Sequence, residues 1–154
     1  MLYKETALLR LFTLRIPLLL FVGPRVLELD EEGCAVEIPL GLRTRNHLGS
    51  MYLGVLCAGA DVASGLNAAA FIYRAHRGVK LSFKDLKADF LKRADGNVVF
   101  RSRDGARIRR AVEQAAATGE RVTVPVEVVA TVPRKYGDEP VARFTLGLSM
   151  KRGR

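Results

Sequence analysis

The sequence predicts an α+β domain in which a curled antiparallel sheet wraps around one long central helix. Three observations carry that expectation. Apolar and polar residues alternate along four separate stretches, as they do in half-buried antiparallel strands. Between the first of these stretches and the rest lies Asn46 to Tyr73, a run of 28 residues with a single formally charged side chain, Asp61. A helix that is apolar all round is a buried one, and its many Gly and Ala residues let other backbone approach it closely. Finally, 154 residues with 49% hydrophobic and 27% charged side chains suit one folded unit, 1–154, and exclude a disordered or fibrous chain.

Taken in order, Leu8, Leu11, Phe12 and Leu19 recur near helical spacing and predict an amphipathic amino-terminal helix over about 5–22, ended by Pro17 or by Gly23-Pro24. Its apolar face suits the rest of the domain or a partner subunit; a membrane surface is the alternative, because Lys4, Arg10 and Arg15 flank that face. Its longest uncharged run, Ile16 to Pro24, is about half of what a bilayer span requires, so stable insertion is not expected. Arg25 to Leu29 and Cys34 to Leu40 then read as a hairpin around the Asp30-Glu-Glu-Gly33 turn.

The long central helix follows. Its length would also fit a membrane span, but the mid-segment carboxylate and the strands that follow favour a core helix. From Val79 the period-two pattern returns with Leu81 and Phe83, and its parity shifts to Leu86, Ala88 and Phe90. Shifting parity by one residue turns every side chain over, so a bulge or bend belongs near Lys84 to Asp85. Val98 to Arg101 is a short strand. Asp104 caps a helix marked by Ile108, Ala111, Val112 and Ala115 and stopped by Gly119. Val122 to Val128 and Ala142 to Met150 are the last two strands, with Pro125 marking a bulge or an edge position.

The net charge is 25 − 16 = +9. It is lopsided: residues 1–77 carry 8 basic and 7 acidic side chains, residues 78–154 carry 17 and 9. Any polyanionic ligand is therefore expected to meet the second half. Arg103, Arg107, Arg109 and Arg110 cluster on the short helix, yet no aromatic residue interleaves between Phe100 and Tyr136, which disfavours nucleic acid. Lys151, Arg152 and Arg154 at the tail read as solvated charge or as weak contacts to the same anion. Cys34 and Cys57 lack CxxC spacing and sit in apolar stretches, so reduced, buried thiols in a cytoplasmic protein are expected. With only His47 and His76 as imidazoles, no metal site is expected.

Two features point to chemistry. An ionised carboxylate amid apolar residues is costly, so Asp61 is either a structural, partnered Asp or a general base or nucleophile with raised basicity. Asn46 to Gly54 leads into the helix, whose first free N–H groups suit an oxyanion or phosphate.

The run Asn46-x-x-Gly49-x-x-Tyr52-x-Gly54, followed by Ala60-Asp61, resembles the signature N-x-x-G-x-x-H-G-G … L-A-D of hotdog-fold acyl-CoA thioesterases of the phenylacetyl-CoA thioesterase type. Arg45 to Tyr52 is more similar still to a hotdog family catalogued as a domain of unknown function. Asp89 to Ala94 resembles the F-L-x-P-A segment of these families, with Arg93 in the proline position. The resemblance implies the hotdog fold and hydrolysis of acyl-CoA or an acyl-carrier thioester, with coenzyme A as part of the substrate and no resident cofactor. It implies a homodimer or homotetramer whose site joins two subunits. Asp61 would activate water or attack the carbonyl, the Gly54 N–H would polarise it, and Asn46 would orient the water or the carbonyl. Gly49, Tyr52, Leu53 and Arg93 would border the substrate. Tyr52 and Leu53 replace the histidine and a glycine of the signature. The alternative is a non-catalytic hotdog module that binds an acyl-CoA or acyl carrier. A third reading, a nucleic-acid or membrane-surface binder, rests on the charge alone.

Overall fold

The computed structural model describes every residue except Arg77 and Arg154, so the expectation for Arg154 lies outside the described residues. The elements run α1 (Tyr3–Thr13), α2 (Pro17–Val22), β1 (Arg25–Leu29), β2 (Cys34–Ile38), α3 (Leu53–Ala75), β3 (Val79–Phe90), β4 (Val98–Ser102), α4 (Gly105–Thr118), β5 (Val122–Thr131), α5 (Pro133–Tyr136) and β6 (Pro140–Arg152). Six strands form one sheet in the order β1-β2-β4-β5-β6-β3, with every neighbouring pair antiparallel.

The sheet curls around α3, and the fully buried Phe100, Ile38, Leu146, Leu148 and Met150 fill the space between them. Burial of this apolar surface is what holds the two layers together, at about 25 cal/mol for each Å² withdrawn from water. Among the described residues α3 is also the one helix long and apolar enough to cross a bilayer, and it is the core helix instead. Asn67, buried on α3, donates from Nδ2 to Asp30 O at 2.8 Å and Gly33 O at 3.3 Å, which pins the β1–β2 turn to the helix.

The parity shift in β3 is real. Its pairing with β6 slips between Phe83 and Asp85, and Asp85 Oδ1 accepts the Gly147 N–H at 3.0 Å across the slip. The irregularity keeps Leu81, Phe83, Leu86, Ala88 and Phe90 opposite the inward residues of β6 on both sides of the slip. Pro125 pairs with Gly147 in regular register, where β4 no longer accompanies β5, so its position is an edge and not a bulge.

Three expectations need correction. The amino-terminal helix is two helices: the chain breaks after Thr13 and restarts with Pro17 in the first turn of α2, where a missing N–H costs nothing. The face of α1 that meets the domain is Thr6, Leu9 and Thr13, whereas Leu8, Leu11 and Phe12 point outward. Helical spacing reveals that a stripe exists, and hydrogen bonding decides which stripe packs. Leu2 N donates to Val26 O at 2.7 Å, and Val26 N donates to Thr6 Oγ1 at 2.9 Å, so α1 covers the β1 edge through its threonine face. Lastly, Asp104 occupies the position before α4 without capping it; Asp104 Oδ2 accepts the Glu127 N–H at 2.7 Å and ties α4 to β5 instead.

Candidate functional site

The loop before α3 is built around Asn46. Asn46 Oδ1 accepts the N–H groups of Leu48 (2.9 Å) and Ser50 (3.1 Å), and Asn46 N donates to Ser50 O at 2.7 Å. Gly49 closes this turn at φ +76, a left-handed conformation costly to any residue with a Cβ. The amide oxygen of Asn46 is thus committed to the loop. Its Nδ2 has no acceptor among the described residues. The loop is anchored at both ends, by Tyr52 N to Thr44 O at 2.8 Å and by Met51 N to Ala94 O at 2.8 Å. The second bond brings the Arg93–Ala94 segment beside the start of α3, and the Arg93 side chain is exposed there.

Tyr52 is the cap of α3, and its carbonyl accepts from Val55 (2.9 Å) and Leu56 (3.0 Å). The first two N–H groups of the helix, those of Leu53 and Gly54, have no acceptor among the described residues. They carry the positive end of the helix dipole. The Tyr52 ring lies over Gly54, where a Cβ would fall 2.7 Å from Cε1 of the ring. The Tyr52, Leu53 and His47 side chains are exposed.

Gly54, Cys57, Asp61 and Gly65 follow at helical spacing along the side of α3 that the sheet leaves half covered. Gly65 borders the inward face of β3, since a Cβ there would meet Phe83 Cζ at 3.3 Å and Leu81 Cδ2 at 3.7 Å. Phe83, Leu86 and Phe90 point to the core side of the sheet and yet remain 40%, 42% and 49% exposed. An open apolar face therefore runs along β3 beside the glycine, cysteine and aspartate stripe. The Asp61 carboxylate has neither a hydrogen bond nor an ion pair among the described residues, and burial pushes its pKa up. Among the described residues Asp61 has none of the partners that the structural reading of the sequence requires.

Sequence reasoning missed Cys57, Phe83, Leu86 and Phe90 as neighbours of this site. Cys57 is half-buried rather than buried, one turn before Asp61, with its thiol pushed up by desolvation. Its i, i+4 spacing to Asp61 was the available signal. Cys34 is the inert thiol expected, donating to Ala63 O at 3.0 Å and raised to about 12 by burial. The arginine cluster on α4 is partly consumed: Arg109 pairs with Glu31 (2.8 Å) and Glu113 (3.4 Å), and Arg107 lies 3.7 Å from Asp104. Unopposed cations lie elsewhere. Lys80, Arg121, Lys151 and Arg152 line an opening of about 260 Å³ at the start of β3 that has no carboxylate in its wall. Among the described residues no group of three His, Cys, Asp or Glu side chains could hold a metal ion.

A sheet of this order curled about a single core helix is the hotdog fold. The chain belongs to the family described as a domain of unknown function, DUF4442, whose model matches residues 4–146. No curated protein matches it. Among solved structures it is similar to a Pseudomonas aeruginosa protein of unknown function named a probable thioesterase, with 23% identity, a TM-score of 0.73 and coverage of 93% of this chain and 92% of that one. A protein of unknown function from Chlorobaculum tepidum has 12% identity and a TM-score of 0.82, covering 96% and 94% of the two chains. A thioesterase family protein from Silicibacter pomeroyi has 17% identity, a TM-score of 0.70 and coverage of 98% of each chain. At these identities the shared property is the fold.

Proposed function

We propose that the protein is a cytoplasmic acyl-CoA thioesterase, with Asp61 as general base or nucleophile at the interface of a homodimer or of the dimers within a homotetramer. The observation that carries this reading is Asp61 itself: a desolvated carboxylate without a partner, on a helix face that opens onto the apolar side of β3. Stability alone would favour an apolar residue there. The thioesterase names of several fold neighbours support the reaction class.

In the proposed reaction, the carbonyl oxygen of the thioester accepts hydrogen bonds from the Gly54 N–H and the Tyr52 hydroxyl. Water held by Asn46 Nδ2 gives its proton to Asp61 and attacks the carbonyl carbon. The C–S bond then breaks, and the thiolate leaves with that proton to yield a carboxylic acid and free coenzyme A. In the nucleophilic variant Asp61 attacks first, and water cleaves the resulting anhydride. Gly54 and Asp61 are two helical turns apart, a rise of about 10 Å. A dimer across β3 would let Asp61 of one copy meet Gly54 of the other, with the acyl chain along Phe83, Leu86 and Phe90. Arg93 and the Lys80–Arg121–Lys151–Arg152 opening would meet the phosphates of coenzyme A.

A second reading also has an observation in its favour. The Tyr52 ring covers Gly54 and the Asn46 oxygen is tied into its loop, an arrangement equally suited to holding an acyl-CoA or acyl carrier without turning it over. Free-thiol release from short, medium, long and aromatic acyl-CoAs separates the two. The first reading predicts turnover of at least one class. Tight binding without turnover would establish the second.

A further inference from the structure

The first 22 residues present an inverted amphipathic surface. On α1, two threonines and Leu9 face the domain, while Leu8, Leu11 and Phe12, at i, i+3 and i+4, face outward. On α2, Leu19 and Val22 face inward and Leu18, Leu20 and Phe21 outward. Ten of the nineteen large apolar side chains that the described structure exposes lie between Met1 and Phe21. A patch of this density marks a contact with something else. Nor is the helix free to roll its leucines inward, because Thr6 Oγ1 accepts the Val26 N–H at 2.9 Å and Leu2 N donates to Val26 O at 2.7 Å.

The charge on this surface is predominantly positive. Lys4, Arg10 and Arg15 have no carboxylate partner among the described residues, and Glu5 is the segment's one acidic side chain. Arg43 adds a fourth cation, 5.7 Å from the centre of the Phe21 ring. A symmetric pairing of two copies through this face would set these cations against one another with little to oppose them. An anionic bilayer neutralises every one of them while its acyl chains take up the leucines and phenylalanines.

We propose that α1 and α2 form a docking element for an anionic lipid surface, lying flat at the level of the headgroups. The element covers β1, at the opposite edge of the sheet from β3, so association of copies through β3 leaves it free. It also touches the loop that leads to Asn46, through Arg43 Nη1 and Phe21 O at 3.5 Å, and so holds the rim with the exposed Leu42 and Leu48 close to the lipid.

Flotation of the full-length protein with vesicles of phosphatidylcholine, with and without about a third phosphatidylglycerol, tests this without reference to thioester turnover. The expected result is partition onto the anionic vesicles that weakens with added salt. It should fall about tenfold or more in Leu11→Ser/Phe12→Ser/Leu18→Ser/Phe21→Ser, whose altered side chains are exposed and leave the melting temperature unchanged. The charge reversal Arg10→Glu/Arg15→Glu should lose the anionic preference. Failure of the wild type to float, equal partition onto neutral vesicles, or indifference to both variants would overturn the proposal. So would a serine variant that changes the sedimentation size of the protein while lipid binding stays the same, since the face would then be a subunit interface.

Discussion

Gly59 lies directly against the ring of Phe100: a Cβ on Gly59 would fall 2.3 Å from both Cε2 and Cζ. The core helix crosses β4 with only hydrogen between them. Phe100 has no room to retreat, being fully buried and packed at a tilt against Phe144, ring centres 6.4 Å apart; Phe144 in turn meets Phe90 edge-on at 6.0 Å. Gly59→Ala gains about 1 kcal/mol of helix propensity and forces the ring to move. Overpacking of this kind costs about 1–3 kcal/mol, so chemical denaturation should show net destabilisation, partly relieved by Phe100→Leu in the same chain. An unchanged midpoint would mean that α3 sits further from the sheet.

Asp61 should leave a signature in stability against pH. Burial raises its folded pKa above the unfolded one, so the folded state binds the proton more tightly. The cost of ionising it is absent below the unfolded pKa, grows between the two values and is complete above the folded one. Asp61→Asn removes that cost. The variant should therefore be more stable than wild type at neutral and alkaline pH, with the advantage shrinking toward acid. Urea unfolding at a series of pH values checks this, and destabilisation by the variant at neutral pH would show that the carboxylate has a stabilising partner.

The β3 edge should be where copies meet. It is a twelve-residue strand with no neighbour on its outer side among the described residues, beside exposed Phe83, Leu86 and Phe90. Long bare edges of this kind pair readily. Sedimentation should give a multimer for the wild type and a smaller species for Leu86→Asp, with the circular dichroism of the fold retained. A wild type that sediments as a monomer contradicts a shared site.

The basic opening at the start of β3 gives a specificity test. Lys80→Glu/Lys151→Glu should raise KM for an acyl-CoA about tenfold and leave kcat within about twofold, because the charges meet a distal part of the substrate. An acyl-pantetheine, which lacks the nucleotide phosphates, should show no change. Equal losses on both substrates would mean that the opening serves the fold.

Where the sequence was legible, one physical rule dominated. The bulge in β3 follows from a parity change between Phe83 and Leu86, and Asp61 stands out because it is the single formally charged side chain from Asn46 to Tyr73. The amino-terminal helices were misread because periodicity finds the apolar stripe, while the packed face was chosen by the hydrogen bond that Thr6 Oγ1 accepts from Val26 N–H at the β1 edge. Asp104 occupies the cap position, but its carboxylate satisfies a strand N–H that local sequence does not reveal. The commitment of the Asn46 oxygen to its own loop was hidden for a similar reason, since a turn and a binding motif use the same residue types. The apolar face of β3 needed the sheet order, because alternation marks Phe83 and Leu86 as inward without telling that they stay 40% and 42% exposed at the sheet's edge.

The central claim, that the unpartnered carboxylate of α3 performs the chemistry, is tested most directly by kcat/KM for the best acyl-CoA substrate in wild type and Asp61→Asn, with the melting temperature of each measured alongside. The prediction is a loss of at least about 10²-fold in a variant that is folded and still binds the acyl-CoA. Turnover that survives in Asp61→Asn, or no turnover of any acyl-CoA by the wild type, would contradict it.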